Sequence, residues 1–223
     1  MESRIIPEAG ADSVCATEDI PEIYERPYDE NHPVICPDES PGHPTGEKRT
    51  PCTDQRGIGY IGYEYVRNGT ADIFMISGPL GGRREILVKD RHSRPEWAEV
   101  IRHITEDMYP DAEKLTLIRD NPSAHKRSAL YEVTEPERAR AVPNGTESVF
   151  TPGHGSRLNI AETGPGILTR QGLKDRVGSK EELEGQITEW YEERNRNMKT
   201  ADWQFGTKDA GIKLKRLYPS FKR

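Results

Sequence analysis

The chain has 223 residues, of which 33% are hydrophobic and 31% are charged, and its net charge at neutral pH is −6. This length fits one sizeable α/β domain with a lean core. No apolar run approaches the ~20 residues that cross a bilayer, and residues 1–7 lack the basic-then-apolar pattern of a secretory signal. The sequence therefore predicts a cytoplasmic protein that makes no membrane contact.

The charge is distributed unevenly along the chain. Residues 1–32 carry nine acidic and two basic side chains, a net of −7, which leaves +1 for residues 33–223. Residues 208–223 carry six basic side chains against one acidic. We predict an acidic lead-in over 1–32, a main domain over 33–200, and a basic C-terminal helix and tail over 201–223. The tail is either a surface for phosphate groups or an ordinary solvated helix face.

In chain order, hydrophobic periodicity and turn residues predict alternating strands and helices. The first half contains a short helix at 16–24, a strand at 34–36, a loop over 41–59, a hairpin with strands at 73–76 and 86–88, and a helix over 93–108 opened by a capping box. The second half contains a strand at 115–118, short helices at 124–131 and 136–142, a strand at 148–151, and helices from about 158, over 180–196 and over 208–217. This order predicts an α/β fold.

Three acidic residues lie in distinctive motifs at the ends of predicted elements. Asp38 lies in Val34-Ile-Cys-Pro-Asp-Glu-Ser40, Asp120 in Leu117-Ile-Arg-Asp-Asn-Pro-Ser-Ala-His125, and Glu162 in His154-Gly-Ser-Arg-Leu-Asn-Ile-Ala-Glu162. Such carboxylates, distant in sequence, can converge to hold two divalent cations for phosphodiester chemistry. Taken singly, each acid also fits a turn or capping residue, and His125 and His154 fit either metal ligands or ordinary polar residues.

The same motifs resemble bacterial insertion-sequence transposases of the mariner superfamily, whose catalytic domain is named for its Asp-Asp-Glu (DDE) residues. The resemblance covers about residues 20–219. It rests on five segments: 63–71, 109–114, 120–125, 151–162 and 202–219. It implies a ribonuclease-H-like fold, with a mixed five-stranded sheet flanked by helices.

The resemblance also implies a function and a set of site residues. The family uses two Mg²⁺ or Mn²⁺ ions to cleave a DNA strand at the element's end and to join the freed 3′ hydroxyl to target DNA. Its catalytic, metal-holding acids fall on Asp38, Asp120 and Glu162, with Asp38 bridging the two ions. DNA is the implied partner, and a homodimer on DNA is expected. For DNA contacts in the basic tail we select Lys213, Lys215 and Arg216.

Several positions depart from the family's pattern. Pro37 removes a strand donor beside Asp38, Arg119 could pair with the carboxylates, and Gly164-Pro165-Gly166 follows Glu162 where an unbroken helix is usual. We therefore expect a helix that starts after Gly164 or is kinked at Glu162, the residue that must hold metal. The N-terminal helix-turn-helix of such transposases is not recognisable, so a separate subunit is expected to supply it, or the chain is a fragment. A decayed remnant, a non-enzymatic DNA- or partner-binding protein, another metal-dependent nuclease and a plain interaction domain remain alternatives.

Overall fold

A computed structural model describes residues 11–42, 45–47, 52–60, 65–67, 69–120, 127–152, 158–173, 177–198, 200–201 and 203. These residues form nine strands: β1 (Val34–Gly42), β2 (Thr45–Glu47), β3 (Cys52–Thr53), β4 (Gly59–Tyr60), β5 (Tyr65–Arg67), β6 (Ala71–Ser77), β7 (Arg84–Lys89), β8 (Leu115–Arg119) and β9 (Thr146–Phe150). Five of them form one sheet in the order β7-β6-β1-β8-β9. The strands β2 to β5 form two separate two-stranded sheets, β2 with β5 and β3 with β4.

Six α-helices complete the described fold: α1 (Ala11–Tyr24), α2 (Arg94–His103), α3 (Leu130–Val133), α4 (Pro136–Asn144), α5 (Thr163–Gln171) and α6 (Lys180–Arg196). A π-helical turn, Ile104–Met108, extends α2, and 3₁₀ turns at Arg127–Ala129 and Ile160–Glu162 precede α3 and α5. None of the described helices is long and apolar enough to cross a membrane.

The large sheet separates two helical layers, and alternate residues of each strand face opposite layers. On one face, Ile35, Ile76 and Leu117 pack against α2, α3 and α4. On the other, residues of β6 and β7 pack against α5 and α6, while Cys36 and Ile118 pack against α1 and the turn before α5. The predicted mixed five-stranded sheet flanked by helices is confirmed.

The sequence predicts some elements better than others. Helix 180–196 is confirmed at both ends, and Ser179 Oγ accepts from the Glu182 N–H at 3.1 Å. The predicted strand 34–36 is too short, because β1 continues through Pro37 to Gly42. The expected loop over 41–59 contains short strands. Ser93 precedes α2 as expected, but its hydroxyl donates to the Glu96 carboxylate and makes no cap to the backbone.

Candidate active site

The candidate site lies where the parallel pairing of β1, β8 and β9 ends at one edge of the sheet. β1 pairs with β8 in parallel through Val34 and Ile35, and β8 pairs in parallel with β9 as far as Arg119 and Phe150. Asp38 follows the last β1–β8 pair, while Asp120 and Thr151 follow β8 and β9 directly. Ligands of α/β sheets bind at this carboxyl edge because loops there are free to diverge. The topology therefore brings Asp38 and Asp120 to the same edge.

Asp38 shares a face with Cys36, because side chains two residues apart on a strand point the same way. Burial, followed by the charges of Glu39, Asp120 and Glu162, raises the pKa of Asp38 to about 7. Both other predicted acids are thus close enough to act on its ionisation. The charges of Asp120 and Glu162 therefore reach Asp38, and a positive charge beside Asp38 would favour its ionised form.

Asp120 is oriented by Thr151, which is not among the site residues predicted from the sequence. Thr151 is 8% exposed, and its Oγ1 donates to Asp120 Oδ1 at 2.5 Å. The Thr151 backbone N–H also donates to the carbonyl oxygen of Arg119 at 3.0 Å. The parallel register of Arg119 with Phe150 makes Asp120 and Thr151 neighbours. The position of Thr151 as the last residue of the predicted strand 148–151 was the available signal.

Glu162 ends the 3₁₀ turn and occupies the N-cap position of α5. The expectation that a helix starts after Gly164 is wrong, because α5 begins at Thr163. The kink expected at Glu162 stays a prediction, and Glu162 is the residue at which the 3₁₀ turn passes into α5. Pro165 is the third residue of α5, in the first turn, where backbone N–H groups have no acceptor within the helix. A Cβ on Gly164 would lie 1.7 Å from Met75 Sδ. Gly164 therefore allows α5 to approach β6 beside Asp38, whose register partner is Met75.

Pro37 has no backbone N–H to donate, as the sequence expectation states, and the pairing of β1 with β8 ends before it. The Thr116 N–H donates to the carbonyl of Pro33, so alternate residues of β1, including Pro37, direct their backbone groups toward β8. The paired residues of β1 and β8 end at Ile35 and Leu117. Pro37 thus lies where the two strands diverge, and its carbonyl oxygen accepts from Asn159 Nδ2 at 3.1 Å.

Arg119 does not pair with the three carboxylates, so that expectation is wrong. It is 6% exposed, on the face of Leu117, where its guanidinium lies 4.9 Å from the ring centroid of Trp97 and 4.7 Å from that of Phe150. It also donates to Ser148 Oγ at 3.2 Å. Burial lowers the pKa of Arg119 to about 10, which leaves it charged at neutral pH. Asp120, the next residue, points to the opposite face.

The donor set suits Mg²⁺ or Mn²⁺, since carboxylate oxygens are the hard ligands that these ions prefer. Burial, and after it the negative charges of Glu39, Asp120 and Glu162, raise the pKa of Asp38, and a bound cation would offset this effect. Among the residues that the structure describes, no group of three or more His, Cys, Asp or Glu is arranged to hold a metal ion. Carboxylate oxygens are suitable ligands for the metal, but the described carboxylates are not arranged to share one ion.

Several predicted site residues lie outside the described residues. These are His125 and His154 of the two motifs, and Lys213, Lys215 and Arg216 of the basic tail.

Residues 33–184 match the family described as DDE superfamily endonuclease. No curated protein matches the chain in sequence. Among solved structures, the chain is similar to the Mos1 strand transfer complex, with a TM-score of 0.58, 13% identity and coverage of 100% of this chain and 67% of that one. It is also similar to the Mos1 transposase paired-end complex with left transposon end (TM-score 0.53, 15% identity, 97% and 64% coverage) and to the Mos1 mariner paired-end complex with Mn (0.51, 14%, 97% and 64%).

The fold and the family match define an endonuclease domain of the DDE class. The chain belongs to the DDE superfamily endonuclease family, whose match covers more than half of its length. The predicted DDE catalytic domain is confirmed by the family match, and its ribonuclease-H-like fold by the structural similarity. The chain spans about two thirds of the length of the matched Mos1 chains.

Proposed function

We propose that this chain is the catalytic domain of a DNA transposase of the insertion-sequence type, which cleaves a strand at the element's end and joins it to target DNA. The observation that carries the proposal is that Asp38 and Asp120 follow the paired parts of neighbouring strands at the carboxyl edge of the sheet, with the charges of Asp120 and Glu162 both acting on the ionisation of Asp38. The family match supplies the endonuclease class. Three acids suit in-line phosphodiester chemistry because carboxylates can bind the divalent cations that stabilise the attacking and leaving oxygens.

The proposed cofactors are two Mg²⁺ or Mn²⁺ ions. Bound there, the pair would activate a water or 3′ hydroxyl and stabilise the leaving oxygen. Asp38, Asp120 and Glu162 would hold the two ions, with Asp38 as the shared ligand that the resemblance implies. Thr151 would hold the Asp120 carboxylate in place through its hydrogen bond, as second-layer partners of metal ligands generally do.

Transposon ends and target DNA are the proposed partners, and a cytoplasmic, nucleoid-associated location follows from them. Lys213, Lys215 and Arg216 are proposed contacts to the phosphate backbone. A homodimer on DNA and a separate helix-turn-helix subunit are also part of the proposal. The structural relatives are described as strand-transfer and paired-end complexes, which is consistent with DNA held at two ends.

A second candidate is a protein of the same fold that binds DNA or a partner without cutting it. It is favoured by the absence of an arranged metal-ligand group among the described residues. The two candidates differ in whether Mn²⁺ binds and whether strands are cut.

The test combines Mn²⁺-dependent thermal stabilisation with nicking of supercoiled plasmid DNA. The variants are Asp38→Asn and Glu162→Gln, with Glu137→Gln on the exposed surface of α4 as the matched control. At 100 times its dissociation constant, Mn²⁺ should add about 2.7 kcal/mol to the wild type and the control. Both site variants should keep their fold and lose stabilisation and nicking. Nicking by Glu162→Gln at the wild-type rate would remove Glu162 from the site, and no stabilisation of the wild type would favour the second candidate.

A further inference from the structure

The segment that carries Glu162 is held by a buried asparagine within it. Asn159 is fully buried. Its Nδ2 donates to the carbonyl oxygen of Pro37 at 3.1 Å, and its Oδ1 accepts from the backbone N–H of Ala161 at 3.1 Å. One side chain therefore joins the residue before Asp38 to the turn that ends at Glu162. Because both groups are buried, removing either bond leaves an unsatisfied polar atom.

A tyrosine at the end of α1 holds the same turn from the other side. Tyr24 is 6% exposed, and its hydroxyl donates to the carbonyl oxygen of Leu158 at 2.7 Å and accepts from the Ile160 N–H at 3.4 Å. The hydroxyl also lies 3.2 Å from Cys36 Sγ. Since its one proton is given to Leu158, the Cys36 thiol is the donor in that contact.

The protonation of these groups is consistent with this arrangement. Burial raises the pKa of the Cys36 thiol to about 12 and raises the pKa of Tyr24 above its usual range. Both groups therefore keep their protons at neutral pH. The ring of Trp203, 4.7 Å from that of Tyr24 between centroids, packs beside it.

The turn needs such support because 3₁₀ geometry supplies few and poorly aligned hydrogen bonds of its own. Tyr24 contacts Cys36, and Asn159 contacts Pro37, which are the two residues that precede Asp38 on β1. Their other bonds all go to residues 158–161, directly before Glu162. The two side chains thus link the backbone positions of two carboxylates that lie more than 120 residues apart in sequence.

We propose that Tyr24 and Asn159 are positioning residues that fix Glu162 relative to Asp38, and that helix α1 is thereby part of the catalytic unit. This inference rests on the proposed function, since the value of a fixed separation lies in metal binding. Loss of such supporting contacts typically weakens metal affinity by about 10–100-fold. A role in packing alone would lower stability without changing affinity.

The experiment uses the full chain with Tyr24→Phe and Asn159→Ala. Tyr24→Phe keeps the ring and removes the hydroxyl, so it tests the bonds with little change in packing. Asn195→Ala is the matched control, because Asn195 likewise brackets backbone groups, those of Arg84 in β7. Two quantities are measured: hydrogen–deuterium exchange of metal-free protein over residues 158–168 against 180–196, and the Mn²⁺ dissociation constant by calorimetry.

We expect both site variants to exchange at least about tenfold faster over 158–168 with 180–196 unchanged, and to bind Mn²⁺ about 10–100-fold more weakly. The control should keep wild-type exchange over 158–168 and wild-type affinity. Unchanged exchange, or faster exchange with unchanged Mn²⁺ affinity, would overturn the positioning role. If the wild type binds no Mn²⁺, the proposed function fails by itself. The exchange data then decide by themselves whether Tyr24 and Asn159 hold the turn. Unchanged exchange over 158–168 in both variants would overturn this role too.

Discussion

Gly164 lies so close to Met75 that a methyl group on it would come within 1.7 Å of the Met75 sulfur. Met75 is the register partner of Asp38, and Gly164 is two residues beyond Glu162. The contact therefore joins the strand beside one acid to the helix that follows another. The glycine next to Pro165, which reads in sequence as part of a helix break, is required by this close approach.

Gly164→Ala should move α5 away from β6 and disturb Glu162. We expect a loss of about 1–3 kcal/mol in the free energy of unfolding, as for overpacked cores, together with weaker Mn²⁺ binding. Gly166→Ala is the matched control, since a Cβ there has its nearest neighbour, Arg170 Nη2, at 4.0 Å. The control should be neutral or more stable, because alanine favours helix by up to about 1 kcal/mol over glycine. Urea unfolding and calorimetry measure both, and equal losses in the two variants would contradict the packing role.

Mn²⁺ affinity should depend on pH through Asp38. Its pKa of about 7 means that a proton competes with the metal below neutral pH. We expect the affinity to fall by about tenfold for each pH unit below 7, until another group titrates. Asp38→Asn should bind more weakly and show a much flatter dependence between pH 5.5 and 7. A wild-type affinity that is constant across this window would show that Asp38 is not a titrating ligand.

The contribution of Asp38 to the stability of the metal-free protein should fall as pH rises, whereas the contribution of an ion-paired carboxylate rises with pH. The folded pKa of Asp38 lies above its reference value of 3.8, so the unfolded chain releases this proton more readily. The contribution is fully present below about pH 4 and is lost as pH rises to about 7. Asp38→Asn, which cannot ionise, should therefore gain stability relative to the wild type as pH increases from 4 to 7. Urea midpoints at several pH values measure the stability difference between Asp38→Asn and the wild type. A gain that shrinks as pH rises would show that the pKa of Asp38 is not raised in the folded protein.

Arg119→Met tests on which face of the sheet the guanidinium lies. Because the charge lies against Trp97 and Phe150, its removal should change the Mn²⁺ dissociation constant by no more than about twofold. A guanidinium among the carboxylates would repel the ion. Its removal would then lower the Mn²⁺ dissociation constant, by about tenfold for each 1.4 kcal/mol of repulsion that is lost. The control is Arg56→Met, whose side chain is exposed and paired with Asp54. Calorimetry on the three proteins decides between the two positions.

The side chain of Asn195 makes hydrogen bonds to the backbone of β7, the strand at one edge of the large sheet. Its Oδ1 accepts from the Arg84 N–H at 2.8 Å, and its Nδ2 donates to the Arg84 carbonyl at 2.6 Å. Asn195→Ala should cost about 1–2 kcal/mol, since two backbone groups lose partners. Asn197→Ala removes one exposed bond to Glu193 and should cost no more than about 0.5 kcal/mol. Thermal unfolding that ranks the two variants in reverse would show that the edge contact does not stabilise the protein.

The two helices that begin at a serine show why local prediction succeeds in part. Ser179 caps α6 as the motif requires, because the residues involved are all within four positions of each other. Ser93 begins α2, but its hydroxyl turns to Glu96. Both starts were predictable, whereas the choice of hydrogen-bond partner depends on the surrounding charges. Boundaries of elements that rest on distant pairing, such as β1, were predicted least well.

The sequence by itself determined the class of fold and predicted Asp38, Asp120 and Glu162 as the site acids, because strand ends and helix starts are local patterns and the motifs that carry the family resemblance are short. Only the tertiary structure decided whether Pro37, Arg119 and Gly164-Pro165-Gly166 are compatible with that site. Each answer depends on a residue distant in sequence: Asn159 for Pro37, Trp97 for Arg119 and Met75 for Gly164. Such contacts are set by the sheet order and by packing across layers, and no local pattern encodes them.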